Sequence, residues 1–303
     1  MRTEQEMYQL ILKRAEKDEN IRAVILNGSR ANPNVKKDPF QDFDIVYLVR
    51  DLKEYKEKEI WRDFGDILVM ARTDENEFFG EFFEDFVCYL MQFKDGNRID
   101  LTIADILNYY GYCFDDRLSV ILLDKDGTLP KLPKPDESTH FVKAPNPRTF
   151  RECMTEFWWT SLYVSKGLWR GQICYAQEHM ETCVREKLRH MLAWHAGSVH
   201  GFDYTAGKAG DYLPRYVSGE IWETYLLTYS DAKEENIWKS LKIATQIFES
   251  ICEETAENMG FSYDKTRAKQ VCAFIEYTKN LPRDGEKLLP LESGIYEKTE
   301  ENV

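Results

Sequence analysis

The sequence predicts an α+β protein, with an N-terminal mixed-sheet domain followed by an all-α C-terminal domain. Three observations carry that prediction. Short apolar runs separated by turn residues fill the first part of the 303-residue chain. The composition then changes near residue 129, where Pro130, Pro133, Pro135, Pro145 and Pro147 fall within one polar stretch. Beyond it the apolar spacing is helical almost to the end. The domains are therefore placed at residues 1–135 and 136–285, with a polar tail over 286–303.

Taken in order, Thr3-x-x-Glu6 reads as a capping box for a first helix whose apolar face is Met7, Leu10, Ile11 and Ala15. Ile21 to Leu26 is a short apolar run, read as a buried strand that ends at the turn Asn27-Gly28-Ser29. Asp42 to Val49 is a second strand. Charged residues from Asp51 to Asp63 predict an exposed helix, and Ile67 to Ala71 a third strand. Phe86 to Phe93 and Arg98 to Ile103 flank Asp95-Gly96-Asn97 and predict a hairpin. Ser119 to Leu123 is one more strand. Asn146-Pro147 starts a helix as N-cap and first helical residue. The spacing predicts helices over Arg151 to Trp169, Gln172 to Val199, Ser218 to Tyr229, Asn236 to Met259 and Asp264 to Asn280, with Gly201 placed to end the second.

Composition narrows the function. The chain is 43% hydrophobic and 14% aromatic, enough to fill real cores, and its formal net charge is −13. That charge repels phosphate backbones and attracts small polycations, so nucleic acid is not an expected partner. No apolar run approaches the ~20 residues of a membrane span, and the polar stretch Met1 to Glu6 has no signal-peptide core. Seven cysteines, an odd number with no CxxC pair, suit reduced thiols in a cytoplasm.

Three pieces carry the chemistry. Gly28-Ser29 follows an apolar strand directly. Asp42-Phe43-Asp44 opens the next strand, thirteen positions beyond Ser29. Asp100 sits between Ile99 and Leu101 on a later strand. Residues i and i+2 of a strand share a face, so Asp42 and Asp44 project together, and two like charges there call for a cation. Three carboxylates suit magnesium, which takes the rest of its shell from water and phosphates. The Gly28-Ser29 turn offers N–H groups and a hydroxyl to phosphate oxygens, and Arg30 is placed to add a charge-assisted contact. Each piece alone is common; the order and the surrounding strands make the set specific.

That set resembles the signature of the nucleotidyltransferase superfamily that includes DNA polymerase beta: Leu26-Asn27-Gly28-Ser29, Asp42-Phe43-Asp44-Ile45 and Ile99-Asp100-Leu101. One departure is Gln41, where many members carry Ser before the first Asp. Within the superfamily, the stretches MRTEQEM, NGSRANPN, FQDFDIVYLV, DGNRIDLTI, LLDKDG, EFWW, YVSKGL, LRHMLAWH and TYSD are similar to the aminoglycoside 6-adenylyltransferase (streptomycin adenylyltransferase) family, over residues 1 to about 245. The resemblance implies a nucleotidyltransferase catalytic domain over 1–135 and a helical domain that binds nucleotide and acceptor. It implies transfer of AMP from ATP, with magnesium, to the 6-hydroxyl of streptomycin, a cationic aminoglycoside, with pyrophosphate released. It also implies Asp42 and Asp44 as metal ligands, and Asp100 as the third carboxylate, either ligand only or also base for the acceptor hydroxyl. Lys166 is a candidate triphosphate contact, since superfamily members commonly present a helical-domain lysine. Glu156 and Glu178 are candidates to pair with guanidinium groups of the acceptor. The oligomeric state stays open.

Other features carry less. Gly201 to Lys208 has five residues between its glycines and Ala209 after the lysine, so it is no Walker loop. His179 and Cys183 share a helix face but lack a third ligand. Asn27-Gly28-Ser29 matches a glycosylation acceptor without a secretion signal. Trp158, Trp159, Trp169 and Trp194 read as core or pocket wall. Two other readings remain open: the same chemistry on another hydroxylated acceptor such as a lincosamide, and a non-catalytic, antitoxin-like nucleotide-binding module.

Overall fold

The computed structural model describes residues 1–78 and 80–284; the tail placed at 286–303 lies outside them. The chain divides into two compact units, Met1–Thr139 and His140–Val303.

In the first unit, α1 (Glu4–Lys17) begins at the Thr3 capping box and buries Met7, Ile11 and Ala15. Its last turn is closed from outside, because Lys125 Nζ donates to the carbonyls of Ala15 and Asp18, each at 2.9 Å. The strands are β1 (Ile21–Asn27), β2 (Phe43–Val49), β3 (Ile67–Arg72), the short pair β4 (Glu75–Asn76) and β5 (Glu81–Phe82), β6 (Phe86–Phe93), β7 (Arg98–Asp105) and β8 (Ser119–Asp124). Six form one sheet in the order β3-β6-β7-β2-β1-β8. All neighbours are antiparallel except β2 and β7, which run parallel.

Burial follows the sequence pattern. β1 is buried from Ile21 to Leu26, Arg22 included, because it is covered on both faces, whereas β6 and β7 alternate because one face is packed more deeply. On one face Met7 and Ile11 pack against Phe43, Ile45, Tyr47, Ile99, Leu101 and Ile103. On the other, Ala23, Ile25, Val46, Leu48 and Ala104 lie under Cys113 of the short helix α3 (Tyr109–Phe114).

The charged stretch after β2 departs from expectation. Only α2 (Lys53–Lys56) and a 3-10 turn over Ile60–Phe64 form there. Tyr55, Ile60 and Phe64 are fully buried, and their uneven spacing pins the segment to the core where a regular helix would swing one of them outward.

The second unit is helical. Its elements are α4 (Pro147–Trp169), α5 (Ile173–His179), α6 (Arg185–His200), α7 (Gly219–Leu226), α8 (Glu234–Met259) and α9 (Lys265–Asn280). Asn146 caps α4 with Pro147 in its first turn, and Gly201 ends α6 at φ 93°. The segment expected as one helix from Gln172 is broken by a π-helical turn over Met180–Val184. There Arg185 is buried, donating to the Thr228 carbonyl at 2.8 Å and to Glu181, with its guanidinium 4.2 Å from the Tyr229 ring centroid. The core stacks Phe157 on Phe248 at 3.5 Å with Trp158 edge-on to both. Among the described residues, no helix is long and apolar enough to cross a membrane.

Candidate active site

Strand parity decides which face the acidic residues take. On β2, Phe43 and Ile45 enter the core against α1, so Asp44 points to the opposite face with Val46 and Leu48. On β7, Ile99 and Leu101 enter that same core, so Asp100 joins Thr102 and Ala104 on the opposite face. The parallel ladder then sets the register, with Asp44 directly paired with Asp100. Asp42, one residue ahead of β2, reaches the same place, because Arg98 Nε lies 3.5 Å from Asp42 Oδ2 and 2.7 Å from Asp100 Oδ1.

The turn after β1 is fitted against these acids. Asn27 pairs with Asp44 across β1 and β2. Asn27 Nδ2 donates to Ser119 Oγ at 2.6 Å, and Gly28 N donates to Leu118 O at 3.0 Å. Gly28 has φ +71°, and a Cβ placed there would stand 2.3 Å from Asp44 Oδ2. Only glycine satisfies both the left-handed backbone and the approach of the carboxylate. A 3-10 turn over Gly28–Arg30 follows.

Electrostatics mark Asp44. Burial, then the negative charges of Asp100 and Asp42, push its carboxyl up to about 6, while Arg98 and Arg30 act against the rise. Such a group gains from any cation brought to it. The donor set of hard carboxylate oxygens fits a divalent ion of the magnesium type. Among the described residues, no three ligand-type side chains already stand as a finished metal cage. Arg98 instead occupies the space between Asp42 and Asp100.

The structure thus brings Gly28, Ser29, Asp42, Asp44 and Asp100 together. Arg30 is adjacent, but its donors are engaged elsewhere: Nε on Asp42 O at 3.0 Å, Nη2 on Gln41 O at 2.7 Å and Nη1 on Glu4 at 3.2 Å, with the guanidinium 3.7 Å over the Phe43 ring. Its side chain is 9% exposed, so in this structure it braces the segment entering β2. Gln41 packs against the turn, Nε2 to Ser29 O at 3.4 Å, and its buried Oε1 has no hydrogen-bond partner among the described residues.

Lys166, Glu156 and Glu178 belong to the helical unit. Glu156, Trp159, Tyr163 and Lys166 follow helical spacing along one face of α4. Lys166 Nζ lies 5.8 Å from the Tyr163 ring centroid. The His179 ring meets Tyr163 edge-on at 5.4 Å, and Glu178 is its exposed neighbour on α5. Arg98 is the site residue that motif reading passes over. Its signal was available, since strand parity puts positions 98 and 100 on one face.

Known proteins share this arrangement of sequence. A family model described as streptomycin adenylyltransferase matches residues 1–278. The chain belongs to the streptomycin adenylyltransferase family. It is therefore an enzyme of the adenylyl-transferring class. An aminoglycoside 6-adenylyltransferase of Bacillus subtilis (strain 168) is 37% identical over 265 residues, covering 87% of this chain and 93% of that one. One from Campylobacter jejuni is 36% identical over 264 residues, covering 87% and 91%. One from Staphylococcus aureus is 33% identical over 250 residues, covering 82% and 89%. A crystal structure of an aminoglycoside 6-adenyltransferase from Bacillus subtilis aligns with a TM-score of 0.46 at 32% identity, covering 93% of this chain and 100% of that one. Membership rests on the sequence matches.

Proposed function

We propose that this adenylyltransferase moves AMP from ATP to the 6-hydroxyl of streptomycin, releases pyrophosphate, and so confers aminoglycoside resistance in the cytoplasm. The observation that carries the reading is the β2–β7 register, which pairs Asp44 with Asp100 beside the Gly28 turn. The names of the relatives support the acceptor class and the hydroxyl.

Magnesium is assigned to Asp42, Asp44 and Asp100, and when bound it supplies charge neutralisation for phosphate oxygens and acidifies a nearby hydroxyl. The Ser29 hydroxyl, together with the backbone of the 3-10 turn, holds the nucleotide phosphates. Gly28 contributes by allowing Asp44 to lie against the turn. Arg30 acts here as a brace for that turn. Asp100 takes the proton of the acceptor hydroxyl as its oxygen bonds to the α-phosphorus. The bond from that phosphorus to the bridging oxygen breaks, and pyrophosphate leaves with the electron pair. Lys166 stabilises the charge on the departing phosphates, and Glu156 and Glu178 grip guanidino groups of the acceptor.

The test is a turnover panel. The protein is incubated with ATP, magnesium and streptomycin, spectinomycin, kanamycin or a lincosamide, and any added AMP is located by mass spectrometry and NMR. One AMP on the 6-hydroxyl of streptomycin with stoichiometric pyrophosphate is expected. Modification at another hydroxyl refutes the regiochemistry. Rapid modification of a different drug alone refutes the acceptor. No turnover with any of them refutes this acceptor set.

A further inference from the structure

The acidic cluster already holds a cation of its own. Arg98 Nε and Nη2 fork Asp100 at 2.7 and 2.9 Å, and Nε also faces Asp42 Oδ2 at 3.5 Å. The guanidinium thus spans two of the three carboxylates assigned to magnesium. A bidentate fork of this kind is the strongest pairing a carboxylate makes with a side chain. A divalent ion and a guanidinium cannot both sit against the same carboxylate edge without strong mutual repulsion.

Arg98 is also less enclosed than Arg30. Its side chain is 37% exposed, whereas that of Arg30 is 9% exposed and fixed on two carbonyls. Its partners among the described residues are carboxylates of the cluster, and a long flexible side chain at this exposure can turn into solvent.

We propose that Arg98 is an exchangeable counter-ion: it neutralises Asp42 and Asp100 in the metal-free enzyme and yields them to the incoming divalent cation. It is a positioning residue, acting through the carboxylates it keeps in place. The exchange lowers the protein's affinity for free metal, because each binding event must displace a resident charge. In return the metal-free site avoids three unscreened carboxylates side by side. The inference rests on the assignment of magnesium to Asp42, Asp44 and Asp100.

The experiment is calorimetric titration of magnesium into metal-free wild type, Arg98→Gln, Arg98→Lys and Asp44→Asn, with melting temperatures recorded with and without the metal. Arg98→Gln should bind magnesium about tenfold more tightly, since an opposite charge at this range changes a carboxylate's affinity for a positive charge by at least that factor. It should melt lower without metal and show the larger rise when metal is added. Arg98→Lys keeps the charge but loses the fork, so it should fall between; it carries the test should the glutamine variant not fold. Magnesium affinity unchanged or weakened in the folded variants would overturn the proposal, as would a magnesium-loaded crystal structure with Arg98 still forked on Asp100. Wild type that binds no magnesium, like Asp44→Asn, would remove the metal assignment and this inference together.

Discussion

Asp95 and Asp44 lie in the same unit and have opposite surroundings. Asp95, in the β6–β7 turn, accepts Arg2 Nε at 2.7 Å, Arg2 N at 3.1 Å and both Asn97 N and Nδ2 at 3.1 Å. The Arg2 guanidinium is the main reason its carboxyl stays well below the ordinary range. Asp44 accepts no hydrogen bond among the described residues, is partly buried and stands beside two other carboxylates, so its carboxyl rises to about 6. One acid is spent on the fold. The other is held charged at a cost that protonation or a bound cation relieves, a pattern that clusters at functional sites.

The comparison can be broken in several places. The largest combined loss of transfer and stability is expected at Gly28. Gly28→Ala adds a methyl 2.3 Å from Asp44 Oδ2 at φ +71°, and it should cost about 10²-fold or more in transfer together with ~1–3 kcal/mol of stability. Urea melts and single-turnover assays read both. Wild-type behaviour would mean that the turn and the acid are not fitted together.

Next comes Asp44→Asn in the metal-free protein. The folded carboxyl is raised, so the penalty is absent below its unfolded value near 4 and grows as pH rises through about 6. The variant should therefore be more stable than wild type at pH 7.5, by about 2–3 kcal/mol at most. The gap should close by about pH 4. A variant less stable than wild type at pH 7.5 would remove the contrast with Asp95.

Asp95→Asn should behave in the opposite sense. The folded carboxyl is depressed, so its contribution is present at neutral pH and fades as pH falls below the ordinary carboxylate value. A loss of about 1–2 kcal/mol is expected at pH 7, shrinking in acid, with metal binding and transfer unchanged.

The smallest effect belongs to Lys166→Ala. Lys166 is half-buried over Tyr163, and its loss should weaken ATP usage by about tenfold with little change in streptomycin affinity. Equal kinetics for ATP would return it to a packing role on α4.

Much of this was legible in the sequence, and the rest has identifiable reasons. The glycine-serine turn and the three acids followed from local pattern, and strand parity gave their common face. The parallel β2–β7 pairing did not, because neither strand records its partner; it is what sets Asp44 opposite Asp100. Arg30 followed the motif in position only, since the Phe43 ring and the Gln41 and Asp42 carbonyls capture its guanidinium. The stretch after β2 is dense in charge, which hid the buried anchors Tyr55, Ile60 and Phe64. The π-turn at Met180–Val184 sits in a sequence whose apolar spacing is close enough to helical to conceal it.

The most direct measurement is transfer of labelled AMP from ATP to streptomycin by Asp44→Asn and Asp95→Asn side by side with wild type at saturating magnesium. The account predicts that Asp44→Asn loses about 10³-fold of the rate while staying folded, and that Asp95→Asn, though less stable, keeps wild-type turnover. Turnover retained in Asp44→Asn, or lost equally in both, would contradict it.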